Sequence, residues 1–303
     1  MQKTLLIFNP MSDRGRSGQR ASDLRGIVEE FGGADWQGTE YPTHAAELAA
    51  QAALRGYQTI VALGGDGTVH EIVNGLMKIE EHHRPRLGIV PIGSGNDFAG
   101  GAGVSMDPSE AMKRVFTGAP KPVDIARIED GAGRIEYFDN TLGIGFDAAI
   151  NIRSRSIQRL QGFTMYLTAT LLTIARDFAA PHMKVTYDGG ALDQPIMMLT
   201  VGNGPREGGG FMTTPDSKVD DGMLDFVYVG KVSKVRMLQL VPKFMKGVQA
   251  REKEVKIIRT THLVVDADRA LPIHADGELF APYEADVRHV EITLVPGAIR
   301  VMV

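Results

Sequence analysis

Residues Thr59 to Leu76 read TIVALGGDGTVHEIVNGL, and they limit the fold more tightly than any other stretch of the chain. The apolar, β-branched run Thr59–Leu63 predicts a short buried strand. It stops at Gly64-Gly65-Asp66-Gly67-Thr68, after which Val69, Ile72, Val73 and Leu76 recur at helical spacing, with His70 and Glu71 expected on the free face. Strand, glycine turn and helix together form the layout of an anion site. Paired glycines allow positive φ and close backbone approach, and the first-turn N–H groups of the helix point at the occupant. Phosphate is the expected occupant. Asp66 would repel a bare phosphate, so it fits a Mg²⁺, a metal-bound water or a substrate hydroxyl, or else Asp-Gly simply makes the turn.

Similar units flank this one. Strand Thr4–Phe8 runs into the polar turn 9–18, where Arg14 and Arg16 offer charge to a polyphosphate, and a helix is expected over Gln19–Phe31. A β segment near Gln37–Tyr41 and a helix Ala45–Leu54 follow, then the central unit. Strand Leu87–Ile92 leads to Gly93-Ser94-Gly95-Asn96-Asp97, a second small-residue turn opening a short helix. Repeated β–α alternation implies a parallel sheet. Two such turns at the carboxyl ends of neighbouring strands would converge on one crevice, where Asp97 could join Asp66 as a hard oxygen ligand, or Asn96 and Asp97 could act as a helix cap.

After a helix over Ser109–Thr117 and a linker-like Pro120-Lys121-Pro122, the pattern changes. Short alternating segments predict strands at Val123–Glu129, Arg134–Leu142, Met183–Tyr187, Ile196–Val201, Met223–Val229, Glu254–Arg259, Leu263–Ala267 and Val290–Leu294. Helical stretches interrupt them at Ile157–Phe178 and Val235–Gln249. The expected fold is α/β: an amino-terminal Rossmann-like parallel-sheet domain over 1–122, joined by a returning last strand 298–303, and a carboxyl-terminal antiparallel β-sandwich domain over 123–297.

Composition narrows the function. At 303 residues there is room for about two cores, and the lack of cysteine excludes disulfides and thiolate chemistry. A net charge of −4 and a pI near 6.1 argue against nucleic acid as a partner. No secretory leader is visible at the amino terminus, and the longest apolar segment, Phe163–Ala175, is shorter than the ~20 residues that span a bilayer. A cytoplasmic protein without a transmembrane segment is expected.

Several motifs occur in the order seen in bacterial diacylglycerol kinases. They are Asn9-Pro10, the Gly64–Thr68 loop with His70-Glu71 and Asn74-Gly75, Pro91 through Ala99, Gly202-Asn203-Gly204 with Gly208-Gly209-Gly210, Val219 through Asp225, and Asp276-Gly277-Glu278. The chain resembles the soluble lipid-kinase family that also includes the sphingosine and ceramide kinase catalytic domains, over essentially its whole length. The GGDGT piece alone is also similar to NAD kinase and phosphofructokinase. Ser94 departs from the threonine common in the family but keeps the hydroxyl.

The resemblance implies an ATP-dependent lipid kinase, with diacylglycerol converted to phosphatidic acid as the default reaction. It places the ATP cradle on Asn9, Thr39, Gly64, Gly65, Asp66, Gly67, Thr68, Val69, His70 and Ser94. It implies a structural Mg²⁺ held by the Asp221 side chain and the carbonyls of Lys218 and Met223, a set of few carboxylates that suits this ion. Glu278 falls at the position of the general base, with Asp66 as the competing base and Asp97 beside it. Asp276 is expected to orient its neighbours or to contact nucleotide. The expected partner is a lipid at a membrane surface, touched peripherally, with a homodimer left open. Arg153, Arg155 and Arg159 offer charge to anionic headgroups, each worth ~1 kcal/mol at a charged surface. Gly202–Gly210 is expected to line a cleft with bare backbone or to form a plain loop. The alternatives are an NAD kinase-like enzyme with a soluble acceptor and a non-catalytic nucleotide- or lipid-binding regulator.

Overall fold

The computed structural model describes residues 3–10, 17–157, 160, 162–176 and 178–303, apart from the side chain at 17. The chain divides into two units, Met1–Ile125 with Pro296–Val303, and Ala126–Val295.

The first unit alternates strand and helix in the order β1 (Thr4–Phe8), α1 (Ser17–Asp23), α2 (Arg25–Glu30), β2 (Asp35–Gly38), α3 (His44–Leu54), β3 (Thr59–Gly64), α4 (Asp66–Leu76), β4 (Arg86–Pro91), α5 (Asp97–Ala102) and α6 (Pro108–Thr117). The strands pair in parallel in the order β2-β1-β3-β4. Every residue of β3 is buried, as a strand covered on both faces requires. Phe8 pairs with Gly38 and Leu63, and Gly64 pairs with Pro91, so all four strands end at one edge. The helix expected over Gln19–Phe31 is two helices divided at Leu24.

α3 and α4 pack closely because their contact faces are small. A Cβ on Gly75 would sit 2.2 Å from the Ala46 carbonyl oxygen. Glu71, expected to be free, instead accepts the backbone N–H groups of Thr43 and Ala45, both at 3.0 Å, and so caps α3. His70, also expected on the free face, is buried, and Asn74 Nδ2 donates to its carbonyl oxygen at 3.0 Å.

The second unit begins within β5 (Pro120–Asp130), so Pro120–Pro122 opens a strand and is not a linker. It continues with β6 (Ile135–Phe138), β7 (Thr141–Gly145), α7 (Phe146–Ser154), α8 (Gly162–Arg176), β8 (His182–Tyr187), β9 (Gly190–Gly202), β10 (Leu224–Gly230), α9 (Lys234–Met245), β11 (Val255–Thr260), β12 (His262–Ala267), β13 (Ile273–Ala275), β14 (Glu278–Ala281) and β15 (His289–Met302). The single strand expected over Arg134–Leu142 breaks at Asp139-Asn140, which leave the ladder to meet a turn described below. α7 had no counterpart in the sequence reading, because nearly all its residues are buried and no amphipathic stripe marks it.

Strand β9 serves two layers. Its first half pairs with β8, and its second half pairs with β10 and β7. Alternation along β10 sends Leu224 and Phe226 into the core between the sheets, with Phe138, Val185, Val265 and Ile292. Val227 and Val229 face the other way, into a second core under α7, α8 and α9. This is a β-sandwich with a helical layer on one outer face. Beyond residue 295, β15 belongs to the first unit, where Val301 pairs with Leu87 of β4.

Candidate active site

In the first unit the expected site residues gather at the carboxyl edge of the parallel strands. Asn9 follows β1, Thr39 follows β2, Gly65–Thr68 follow β3 and Gly93–Asp97 follow β4. The Thr39 N–H donates to the Phe8 carbonyl at 2.9 Å, which holds it beside Asn9. The two glycine turns touch. A Cβ on Gly93 would lie 2.4 Å from the Gly65 Cα, and one on Gly65 would lie 3.1 Å from the Gly93 Cα. Close approach is therefore what demands glycine here. Gly65 itself has φ −103°, and the positive φ expected of this loop appears instead at Asn96 (φ 57°).

Asp66 is the first residue of α4, and its carboxylate is directed into the second turn. Oδ2 accepts the Asn96 N–H at 2.7 Å and Oδ1 accepts the Phe98 N–H at 3.3 Å. A Cβ on Gly95 would lie 2.6 Å from Asp66 Oδ2, so Gly95 also exists for this contact. Asn96 closes its own turn: Oδ1 accepts the Gly93 N–H at 3.2 Å and Nδ2 donates to the Gly93 carbonyl at 2.9 Å. Asp97 is buried in the first turn of α5. Thr68, Val69 and His70 are buried too, and the N–H groups of Thr68 and Val69 donate to the Gly65 carbonyl. Those three residues fix the loop, while Ser94 stands exposed on its turn. Arg14 and Arg16 lie outside the described residues.

In the second unit, β13 and β14 are joined by Asp276-Gly277, with φ 50° and 84°, the two positive values of a type I′ hairpin turn. The Asp276 carboxylate accepts three backbone N–H groups at 2.9 Å each: Asn140 and Thr141 on Oδ1, Asp139 on Oδ2. Of the two expected roles, this one orients neighbours. The Gly277 carbonyl accepts from Asn151 Nδ2 at 2.8 Å and from Arg155 Nη2 at 2.9 Å. Arg155 Nη2 also donates to Glu278 Oε2 at 3.0 Å, so Arg155 ties the turn to the side chain that follows it. Arg153 is half-buried, and Arg159 lies outside the described residues.

Behind the turn lies a buried polar group that the sequence did not single out: Asp147, Glu207, His274 and Tyr166. His274 Nδ1 accepts the Gly277 N–H at 3.3 Å, and its Nε2 lies 3.8 Å from Asp147 Oδ2 and 3.9 Å from Glu207 Oε2. Tyr166 Oη lies 3.1 Å from Asp147 Oδ1 and 3.3 Å from Glu207 Oε1. Thr200 Oγ1 donates to Asp147 Oδ2 at 2.5 Å, and Thr141 Oγ1 donates to Glu207 Oε2 at 3.2 Å. Burial pushes the Glu207 carboxyl well above the usual carboxylate range, helped by the charge of Asp147. Burial also opposes ionisation of Asp147, but His274, Thr200 and Glu207 outweigh it and hold its pKa below the ordinary value. Burial and the two carboxyls drive the Tyr166 hydroxyl well up.

Three such donor groups could in principle ligate a metal. A ligating histidine normally donates its other ring N–H, whereas Nδ1 here is an acceptor. The group suits a hydroxyl or a water better. Asp147, Tyr166 and Glu207 of this group line a small cavity of about 30 Å³ together with Thr170, Thr213 and mostly apolar side chains, including Phe146, Ile150, Met198, Met237, Val241 and Phe244. The glycine loop completes the packing: a Cβ on Gly208 would lie 2.8 Å from the Tyr166 ring, and one on Gly210 would lie 2.4 Å from the Phe163 ring. Gly208 and Gly210 thus offer bare backbone to aromatic side chains of α8, while Gly202 and Gly204 face Thr214 and Asn140. The signals for the buried group were lone polar residues in apolar runs, Asp147 after Leu142–Phe146 and His274 between Ile273 and Ala275.

The loop before β10 carries Lys218, Asp221 and Met223. Asp221 Oδ1 accepts the Met223 N–H at 3.2 Å, and Oδ2 pairs with Arg259 Nη2 at 2.5 Å. Arg259 Nε lies 3.7 Å from Asp225 Oδ1, and burial raises the Asp225 pKa. Carboxylate and backbone oxygens fit a hard divalent cation, with the Arg259 guanidinium as its competitor for Asp221.

Residues 3–128 match the family model for the diacylglycerol kinase catalytic domain, and residues 140–303 match that for the YegS C-terminal NAD kinase beta sandwich-like domain. A protein of Chromohalobacter salexigens named "Probable lipid kinase YegS-like" is 32% identical over 244 residues, which is 80% of this chain and 75% of that one. Diacylglycerol kinase of Bacillus subtilis is 27% identical over 285 residues, 92% of this chain and 90% of that one. A solved structure from Bacillus anthracis str. Sterne that carries the diacylglycerol kinase name superposes with a TM-score of 0.80 at 26% identity, covering 99% of this chain and 96% of that one.

Proposed function

The chain belongs to the diacylglycerol kinase family of lipid kinases, and from that premise we propose that it transfers the γ-phosphate of Mg·ATP to the hydroxyl of diacylglycerol, giving phosphatidic acid. The observation that carries the choice of acceptor is the second unit's small cavity, lined mainly by apolar side chains with Asp147, Tyr166 and Glu207 among them. A hydrocarbon chain gains roughly 0.8 kcal/mol per methylene buried in such walls, and a soluble acceptor gains nothing there.

Phosphoryl transfer asks the protein mainly to position phosphates, offset their charge and receive the acceptor proton. The touching glycine turns, with Asn9, Thr39 and Ser94 along the same edge, are the surface on which we place the nucleotide phosphates. Asp66 ties the two turns together, so its first task is to hold that surface; Asp97, Thr68, Val69 and His70 brace it from inside. Glu278 is the proton acceptor in this reading, with Arg155 fixing its carboxylate and Asp276 fixing the turn it stands on. Mg²⁺, held by Asp221 and the carbonyls of Lys218 and Met223, supplies charge and rigidity to that loop when bound. The protein would act as a cytoplasmic enzyme that touches membranes transiently, with no transmembrane helix among the described residues.

The test is transfer of labelled γ-phosphate from ATP to a panel of lipids in mixed micelles, diacylglycerol, monoacylglycerol, a sphingoid base and ceramide, with NAD as the soluble control. Labelled phosphatidic acid as the main product supports the proposal. Preference for another lipid keeps the lipid-kinase chemistry and corrects the acceptor, and labelling of NAD alone overturns the reading.

A further inference from the structure

The helices α8 and α9 lie in one layer on one face of the sandwich. Tyr166, Ala169 and Ile174 of α8 share a core with Met237, Leu240, Val241 and Phe244 of α9, and Lys234 Nζ donates to the Ala175 carbonyl at 2.6 Å, joining the end of one helix to the start of the other. Their outer faces therefore point away from the same sheet. The outer face of a surface helix is normally polar or charged. α8 breaks that rule, for between Gly162 and Ala175 it carries no charged residue, and its outer stripe is Thr164, Thr168, Leu171, Leu172 and Ala175. Leu171 is 45% exposed. α9 adds Val235, 66% exposed, with Leu238 and Met245 in line with it.

Charge around this apolar face runs against that of the chain. Between Lys231 and Glu254 there are seven lysines and arginines against two glutamates, in a protein of net charge −4. Both glutamates are taken by Arg236, and Glu252 also by Lys243. Lys231, just before α9, and Lys246, Arg251 and Lys253, just after it, are exposed. Exposed apolar side chains bordered by cations match the interface of an anionic bilayer, where the apolar groups enter the acyl boundary and the cations meet headgroups. The inner faces of the same two helices line the cavity assigned to the lipid chain.

We propose that the outer faces of α8 and α9 form a docking surface for an anionic phospholipid bilayer. The proposal deepens the reading of the cavity as a lipid site, and its test separates the two. Co-sedimentation of the full chain with vesicles of phosphatidylglycerol and phosphatidylcholine is compared with pure phosphatidylcholine vesicles, for wild type, Leu171→Asp/Leu172→Asp, Val235→Asp/Leu238→Asp and Lys231→Glu/Lys246→Glu. Wild type binds the anionic vesicles at least tenfold more tightly, salt weakens that binding, and each double variant loses at least tenfold. Phosphorylation of a short-chain diacylglycerol dispersed below its micelle threshold stays within about twofold of wild type in every variant, which also shows that the variants are folded, while phosphorylation of vesicle-borne diacylglycerol falls. Equal vesicle binding by wild type and all variants overturns the proposal. So does a wild-type dimer in sedimentation velocity that the variants dissociate without any change in vesicle binding, since a second copy would then cover the face. Loss of short-chain phosphorylation in wild type, with vesicle binding intact, would overturn the acceptor reading and leave the docking surface standing.

Discussion

Arg155 Nη2 donates at once to the Gly277 carbonyl and to Glu278 Oε2, at 2.9 and 3.0 Å, so one guanidinium sets both the backbone and the side chain of the proposed proton acceptor. Both partners are about half exposed, so the pair adds little to stability, and its worth lies in orientation. Glu278→Gln keeps the shape and removes only the accepting charge. It should lower kcat by roughly 10²–10⁴ with ATP affinity nearly unchanged, measured by steady-state kinetics alongside calorimetry. Wild-type kcat in Glu278→Gln would remove Glu278 from the chemistry.

Asp66 should behave differently, because its two oxygens are bound to the backbone of the second glycine turn. Asp66→Asn puts an amide where a carboxylate accepted two N–H groups, at a cost of about 1–3 kcal/mol to that junction. We expect ATP affinity and turnover to fall together. Abolished turnover with intact ATP binding would move the base assignment from Glu278 to Asp66.

Gly93→Ala should damage the same junction from the other side. Its Cβ would fall 2.4 Å from the Gly65 Cα, and backbone has no rotamer with which to yield. Calorimetry should show ATP affinity reduced at least tenfold, or about 1.4 kcal/mol, with the circular dichroism spectrum retained. Unaltered affinity would take these turns out of the nucleotide site.

Asp276→Ala should be a stability variant. It strands three backbone N–H groups and leaves alanine at a positive φ, so a loss on the order of 3 kcal/mol is expected in urea unfolding. Asp276→Asn, which tolerates that φ and keeps one acceptor oxygen, should lose clearly less. Equal losses would show that the side-chain acceptors contribute little.

The buried acid pair predicts a pH dependence. The folded chain raises the pKa of Glu207 above the ordinary 4.5, so the contribution of the protonated carboxyl is complete below that value and is lost as pH rises towards the folded pKa. Asp147 has the opposite sign, its contribution being lost as pH falls below the ordinary 3.8. Glu207→Gln cannot ionise, so its melting temperature should fall less than that of wild type between pH 5 and pH 9, with no change on the acid side. Parallel melting curves for the two proteins would mean that Glu207 does not hold its proton in the native state.

What the sequence determined by itself was local. The strand–glycine–helix units of the first half, the parallel sheet they imply, the β pattern of the second half and the Asp-Gly hairpin before Glu278 all follow from periodicity and turn chemistry, which act over a few residues. The motif order was legible for the same reason, because each motif is a short segment whose backbone must approach something closely. Tertiary structure decided which groups those segments face. Arg155 reaches Glu278 across 123 positions, Asp276 caps residues 135 to 137 positions before it, and Asp147 meets Thr200 from 53 positions away. No periodicity encodes such pairings, since they exist only once separate strands and helices are packed. The same holds for Glu71, which looks like a free charge in a line of sequence, and for Arg155: only folding supplies the N–H groups and the carboxylate they bind. Leu171 stands exposed for a related reason: helical spacing fixes the angle of a side chain about its helix, while the boundary between the inner and outer faces of that helix is set by the sheet beneath it.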